Sequence, residues 1–172
     1  KLAERDATND SGALAIALSN LANVLRDLDE WREAQRVYTE ATALYEEATR
    51  TRPTTLLVER QRCWAALGGL LRQGVQELGW PDYGGARHAL RKAIECAGQL
   101  RLRFVAPSHR QRVQRDCADT YDLLSKTCLD LWRVTGAAEW LCEAVEVGEA
   151  ARARNLMDLV GDEIVAPHLP ST

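Results

Sequence analysis

Five cysteines and three histidines are the side chains here that could do chemistry on their own: Cys63, Cys96, Cys117, Cys128 and Cys142, with His88, His109 and His168. Nucleophilic catalysis needs a Cys or Ser beside a base that a third group orients. None of these residues stands in a recognisable catalytic pattern, and His168 falls in a terminal tail. A zinc site draws on closely paired ligands, and no two Cys or His residues stand two to five positions apart. Gly68-Gly69 and Gly84-Gly85 lack the G-x-x-x-x-G-K-[ST] pattern of a phosphate loop and read instead as helix-contact and helix-start positions. The residues thus predict no catalytic centre, no metal and no cofactor. The cysteines are odd in number, include no C-x-x-C pair and fall within apolar helical patterns. They read as reduced, buried small hydrophobes in a reducing compartment.

Charge offers a second kind of chemistry. Between Arg87 and Arg115 stand Arg87, Arg91, Lys92, Arg101, Arg103, Arg110, Arg112 and Arg115 against the single acid Glu95. Glu139, Glu143, Glu146 and Glu149 follow as an acidic face. The basic run could hold phosphates, which makes a nucleic-acid-associated helical repeat the alternative reading. Nucleic-acid binders usually add an overall basic balance or stacking aromatics. Here the net charge is −3, the pI is near 5.7, and only Phe104 interrupts the run. A solvated helix surface accounts for the same segregation.

These residues have to be carried by helices. Leu14, Leu18, Leu21, Leu25 and Leu28 recur at steps of four, three, four and three, which predicts one apolar helix face starting near Asp10 or Ser11. Asp29 offers an N-cap for a second helix, on which Trp31, Ala34, Tyr38, Ala41, Tyr45 and Ala48 alternate rings with alanines. Pro53 suits the first turn of a third, carrying Leu57, Trp64, Leu67, Leu71, Val75 and Leu78, which Gly79-Trp80-Pro81 stops. A fourth runs from about Asp82 with Ala86, Leu90, Ala93, Ala97 and Leu100. After Pro107, Ser108 and Gln111 form a capping-box pattern. The fifth helix then carries Val113, Cys117, Tyr121, Leu124, Cys128 and Leu131 to near Gly136. The sixth, from Ala137 to Val160, carries Trp140, Ala144, Val147 and Ala151. Short connections make successive helices antiparallel, so the fold class is all-α, a stack of three hairpins.

The hairpins repeat. Leu18-x-x-Leu21-Ala22-x-x-Leu25 with Ala34, Tyr38 and Ala41 matches Trp64-x-x-Leu67-Gly68-x-x-Leu71 with Ala86, Leu90 and Ala93. Tyr121, Leu124, Ser125 and Cys128 with Ala144, Gly148 and Ala151 are a degenerate third copy. This pattern resembles the tetratricopeptide repeat, and the resemblance implies a right-handed superhelical stack. The interval from the first bulky position to the second-helix alanine is 16 residues in the first repeat, 22 in the second and 23 in the third, which predicts two elongated hairpins. The organisation read is residues 1–8 as the tail of a preceding helix, 9–50, 53–104 and 107–160 as the three hairpins, and 161–172 as a linker or tail.

Ala144 to Leu159, with Glu146, Ala151-Arg152, Leu156 and Asp158-Leu159, resembles the last helix of tetratricopeptide arrays that precede caspase-like CHAT protease domains. That resemblance implies a regulatory arm, with any protease chemistry beyond residue 172. The start at Lys1 and the end at Pro167 to Thr172 read as cut from a longer protein. The repeat family takes peptides on the first helix of each pair. By position this implies a groove of Ser19, Asn23, Arg26, Arg62, Arg72 and Lys126, with Ala65, Gly69, Asp119 and Asp122 beside them. Of the Lys and Asn residues that clamp a C-terminal carboxylate in the family, only Asn23 is matched. No stretch approaches the roughly eighteen apolar residues of a membrane span. The reading is a cytoplasmic, non-enzymatic scaffold whose partner is a protein, a peptide or a neighbouring domain.

Overall fold

The computed structural model describes the backbone of residues 2–51, 56–74, 82–101 and 107–165, and the side chains of 11–50, 56–74, 82–100 and 118–153. Among the described residues there are six helices and no strand: α1 Leu2–Asp27, α2 Trp31–Thr51, α3 Leu57–Gln73, α4 Tyr83–Arg101, α5 Pro107–Thr135 and α6 Ala138–Val165. They pair as α1 with α2, α3 with α4 and α5 with α6, and each pair also packs on the next. The chain is an all-α stack of antiparallel hairpins.

α1 runs unbroken from Leu2, so residues 2–8, read from the sequence as the tail of a preceding helix, are continuous with the first helix of the first hairpin. Nothing in that stretch breaks a helix: it holds neither proline nor glycine before Gly12. α1 stops in a Schellman arrangement. The Glu30 N–H donates to the Leu25 carbonyl at 2.9 Å and the Asp29 N–H to that of Arg26 at 3.0 Å, with Asp29 left-handed at φ 63°. Asp29 therefore closes α1 rather than capping α2. Glu30 starts α2, its carbonyl accepting the first helical bond from Ala34 at 2.9 Å. Asp82 caps α4 as its position suggests, accepting from the Gly85 N–H at 2.7 Å. Gly136, at φ 70°, closes α5. Pro107 is the first residue of α5, where its missing N–H costs nothing. Pro53 and the side chains of Ser108 and Gln111 lie outside the described residues.

The faces meet through small residues. Ala34, Tyr38, Ala41, Tyr45 and Ala48 of α2 and Ala86, Leu90, Ala93, Ala97 and Leu100 of α4 are all buried, as their periodicity requires. Gly68 shows how close the helices come. A Cβ there would stand 2.6 Å from Leu90 Cγ and 3.2 Å from the Ala86 carbonyl oxygen. At the equivalent place in the third hairpin the Ser125 hydroxyl donates to the Ala144 carbonyl at 3.2 Å. One core runs through α1 to α4, and a second joins Leu90 of α4 to Tyr121, Leu124, Cys128, Ala144 and Val147.

α1 departs from the periodicity reading. Among its described side chains the buried ones are Gly12, Ala15 and Ala22, with Leu18 and Leu25 half-covered, while Leu14, Leu21 and Leu28 are exposed. Close contact with α2 demands small side chains at the centre of the face, so the leucines are left on its flank. The extra residues of the longer repeats also divide differently. α3 ends two residues after Leu71, as α1 ends two after Leu25, so the second hairpin's surplus falls in the connection 74–82. In the third hairpin, α5 and α6 themselves are longer. Val75, Leu78, Val113 and Cys117 lie outside the described side chains.

Replacing Ala41 or Ala93 by tryptophan overpacks these contacts, and each variant loses about 1–3 kcal/mol in urea unfolding. Ala43→Trp, on the exposed side of α2, unfolds with the parent protein. Equal midpoints for all three would show that the helix register is misplaced.

Candidate interaction surface

The first helices of the three hairpins lie side by side, α3 touching α1 on one flank and α5 on the other. The residues placed on this face by position meet different fates. Asn23 is half-buried, and its Oδ1 accepts from the Tyr38 hydroxyl at 2.6 Å, so it joins α1 to α2. Ser19 is also half-buried and hydrogen-bonds the Cys63 thiol and the Tyr45 hydroxyl, where α1, α2 and α3 converge. Arg26 pairs with Asp27 at 2.8 Å. Arg72 crosses from α3 to α5, donating to Asp130 Oδ2 through Nε at 3.1 Å and Nη2 at 2.7 Å. Arg133 completes that pair from within α5, 3.0 Å from Asp130 Oδ1.

Arg62 on α3 and Asp119, Asp122 and Lys126 on α5 are exposed, with Lys126 paired to Asp122 at 2.6 Å. Ala65 and Gly69 are half-buried, Gly69 facing Leu123 across the α3–α5 contact. The exposed part of the face is thus small side chains edged by charges of both signs. It can hydrogen-bond a peptide backbone or an acidic or basic side chain.

The basic segment is engaged with the rest of the chain where it is described. Arg87 donates through Nε to both Glu143 carboxylate oxygens, at 2.9 and 2.8 Å, and its guanidinium lies 5.0 Å from the Trp140 ring centre. Arg91 reaches Glu143 through Nε at 2.8 Å and also through Nη2. Lys92 pairs with Glu95 at 3.3 Å. The side chains of Arg101, Arg103, Arg110, Arg112 and Arg115 lie outside the described residues. Glu139, Glu146 and Glu149 are exposed as an acidic face would be, but Glu143 is buried. Burial alone raises a carboxyl's pKa; the hydrogen bonds and charges of Arg87 and Arg91 outweigh it and hold Glu143 below its ordinary range.

Three further polar residues join the hairpins in ways their spacing did not reveal. Arg60 is buried on α3 and pairs with Glu46 of α2 at 2.8 Å, lining an open cleft with Glu47, Thr49, Arg50 and Gln99. Gln61 and Thr120 are buried against each other at 3.5 Å. Arg60 and Gln61 are adjacent polar positions on the inner side of α3, and that interruption of the apolar stripe is the signal that marks them.

No family model matches the chain, and no curated protein or solved structure matches it. Among the described residues no helix is long and apolar enough to cross a membrane, and no cluster of His, Cys, Asp or Glu is arranged to hold a metal ion.

Cys63, Cys96 and Cys128 are free and buried; Cys142, expected in the interior, is free and exposed, because its position on α6 turns away from α5. Burial pushes the Cys63 thiol up to about 11, opposed by Ser19, and the Cys128 thiol up to about 11 as well. His88 is exposed, its ring edge-on to Trp64 at 6.0 Å. His109 and His168 lie outside the described residues.

In native protein at neutral pH, a thiol reagent titrates Cys142 rapidly and Cys63, Cys96 and Cys128 only on the timescale of unfolding. Peptide mapping that finds Cys63 or Cys128 labelled as fast as Cys142 contradicts the packing. The Glu143 contact has a pH signature. Because its folded pKa is depressed, its stabilisation is full above the ordinary value of 4.5 and is lost as pH falls through the folded value. Glu143→Gln costs about 1–3 kcal/mol at pH 7, discounted because both arginines are partly solvated. The gap between variant and parent unfolding curves closes below about pH 4.5; a gap constant from pH 7 to 3 rules the clamp out.

Proposed function

We propose that this chain is a tetratricopeptide-like interaction scaffold that takes a protein or peptide, or a neighbouring domain, along the face of α1, α3 and α5. The observation that carries the reading is one burial pattern recurring at the repeat positions. Ala22 and Gly68 are buried against their second helices, Ser125 contacts Ala144, and the pairs Ala34 with Ala86 and Ala41 with Ala93 are closed to solvent. Such a repeat spends its small residues on joining helices and leaves the first-helix row as a long, shallow surface. Arg62, Asp119, Asp122 and Lys126 then supply the contacts that orient a bound segment.

The wider setting is a regulatory arm whose last helix leads into a CHAT-type protease domain. The resemblance at Ala144 to Leu159 supports that setting, and α6 carries those residues as one unbroken helix. In this reading the chain performs no catalysis and works in the cytoplasm. Any protease activity belongs to the attached domain.

The test is selection of a peptide on the immobilised chain, followed by titration of that peptide. Arg62→Ala combined with Lys126→Ala weakens binding about tenfold, which is roughly 1.4 kcal/mol. Both side chains are exposed, so the urea midpoint stays within about 0.5 kcal/mol of the parent. Arg72 is left intact because its pairing with Asp130 is structural. Single-stranded RNA or DNA that binds more tightly than any peptide, with a steep loss of affinity in salt, overturns the reading in favour of the basic segment.

A further inference from the structure

α1 carries fifteen residues, Ser11 to Leu25, without one charged side chain. A surface helix normally turns charges outward, so the outward side of α1 needs an explanation. Its exposed residues include Leu14, Ala17, Leu21 and Val24, at steps of three, four and three, and Leu28, four further on, continues the line just past its end with its N–H bonded to the Val24 carbonyl. Leu14 is 50% exposed, Leu21 47%, Val24 54% and Leu28 66%. Steps of three and four place them in one strip along the helix, the spacing at which a second helix interlocks.

The chain contains its own comparison. Leu21 occupies the repeat position of Leu67 in α3 and Leu124 in α5, which are 5% and 0% exposed. Those two helices each have a hairpin packed before them, whereas among the described residues α1 packs on α2 and α3. The strip points away from α3. Gly12 meets Leu56 of α3's entry and Ser19 meets Cys63 of α3. Leu14 and Leu21, two residues further on in each case, lie about 200° around the helix.

We propose that this strip is a dimerisation surface that takes α1 of a second copy of the chain, in antiparallel orientation. The strip complements itself. With Leu21 on the two-fold axis, Leu14 faces Leu28 of the second copy, Ala17 faces Leu25 and Leu18 faces Val24, so small residues oppose large ones. Charge sets the direction. Asp27 at the end of α1 and Asp29 and Glu30 just after it outnumber Arg26, which pairs with Asp27. A parallel pair brings two such net-negative ends together; an antiparallel pair sets each beside the other copy's uncharged Ser11 to Leu18. The strip offers roughly 400 Å² of apolar surface per copy, within the range of the largest patch on a monomer, which is often functional. Two such strips come to about 800 Å², below the standard for a permanent complex. The dimer is therefore weak, with a Kd in the micromolar range.

Sedimentation of the 172-residue chain from about 1 to about 200 µM, which brackets a micromolar Kd, tests this. The expected result is a reversible shift from the 19.2 kDa monomer to a species of twice that mass. Leu21→Glu and, separately, Leu28→Lys remain monomeric throughout, with unfolding midpoints like the parent's because both positions are exposed. In a Cys142→Ser background, Leu21→Cys oxidises to a linked dimer. Leu14→Cys links only when mixed with Leu28→Cys. A chain that stays monomeric at every concentration overturns the proposal, leaving the strip to a helix of another polypeptide. So do a dimer that survives both charge substitutions, self-linking by Leu14→Cys, and growth beyond the dimer, which would mean head-to-tail stacking. None of these outcomes bears on peptide binding through Arg62 and Lys126, so the two proposals fail separately.

Discussion

Two antiparallel helices in close contact can cover only the stripes that face each other, and everything else in this structure follows from that limit. Ala22, Ala34 and Ala41 in one hairpin and Gly68, Ala86 and Ala93 in the next bring backbones near enough that Gly68 has no room for a Cβ. Such closeness moves the large side chains to the flanks. Trp64, Leu67 and Leu71 share one core with residues of both the first hairpin and α4, and Leu124 and Cys128 share theirs with Leu90 of α4 and with α6. No hairpin here is a folding unit with its own complete core. The buried area is shared between neighbours, so stability accumulates along the stack.

Apolar flanks alone do not decide how one hairpin sits on the next, because ridges of similar size can interlock one turn away. The second and third hairpins meet through Gln61 with Thr120, Arg72 with Asp130, and Arg87 and Arg91 with Glu143. Asp130 and Glu143 are the groups with little solvent, 14% and 9% exposed, and a slip by one turn strands Glu143 and leaves Asp130 only Arg133 of its own helix. An unpaired buried carboxylate is costly, whereas exchanging the pairs for apolar residues need not be. These contacts therefore act mainly on register. They also explain why the basic run and the acidic face, which look in the sequence like two surfaces for outside partners, meet within the chain at Glu143.

What could be read from the sequence was what local spacing determines. The α2 and α4 stripes were legible because each is packed on its neighbours in the way its period indicates, and Asp82 and Gly136 marked helix ends through their own backbone preferences. α1 was misread for a physical reason. Five leucines at helical spacing name an apolar side, but the pattern does not say whether α2 or a further helix covers it. Asp29 was ambiguous because the same residue type serves as N-cap and as left-handed C-terminal residue, and only the bonds to Leu25 and Arg26 separate the two roles. Asn23, Ser19 and Arg72 were assigned to an open groove by position. Their partners Tyr38, Cys63 and Asp130 lie 15 to 58 residues away, beyond anything periodicity can report. Arg62, Asp119, Asp122 and Lys126, placed by the same positional reasoning, are exposed.

The two proposed surfaces converge on α1, and their geometry makes them compatible. The first-helix row needs the side of α1 next to α3, whereas the leucine strip lies on the flank turned away from it. Pairing two copies through the strip leaves Arg62, Asp119 and Lys126 of each untouched. It sets α5, α3 and α1 of one copy in line with α1, α3 and α5 of the other. A ligand long enough to cross the two-fold axis then meets both rows at once, and the second contact is made at an effective concentration set by the dimer rather than by solution. Because the strip is apolar and the row is charged, added salt weakens the second and spares the first. The assembly thus has one junction that holds copies together and a separate, tunable surface that selects what they hold.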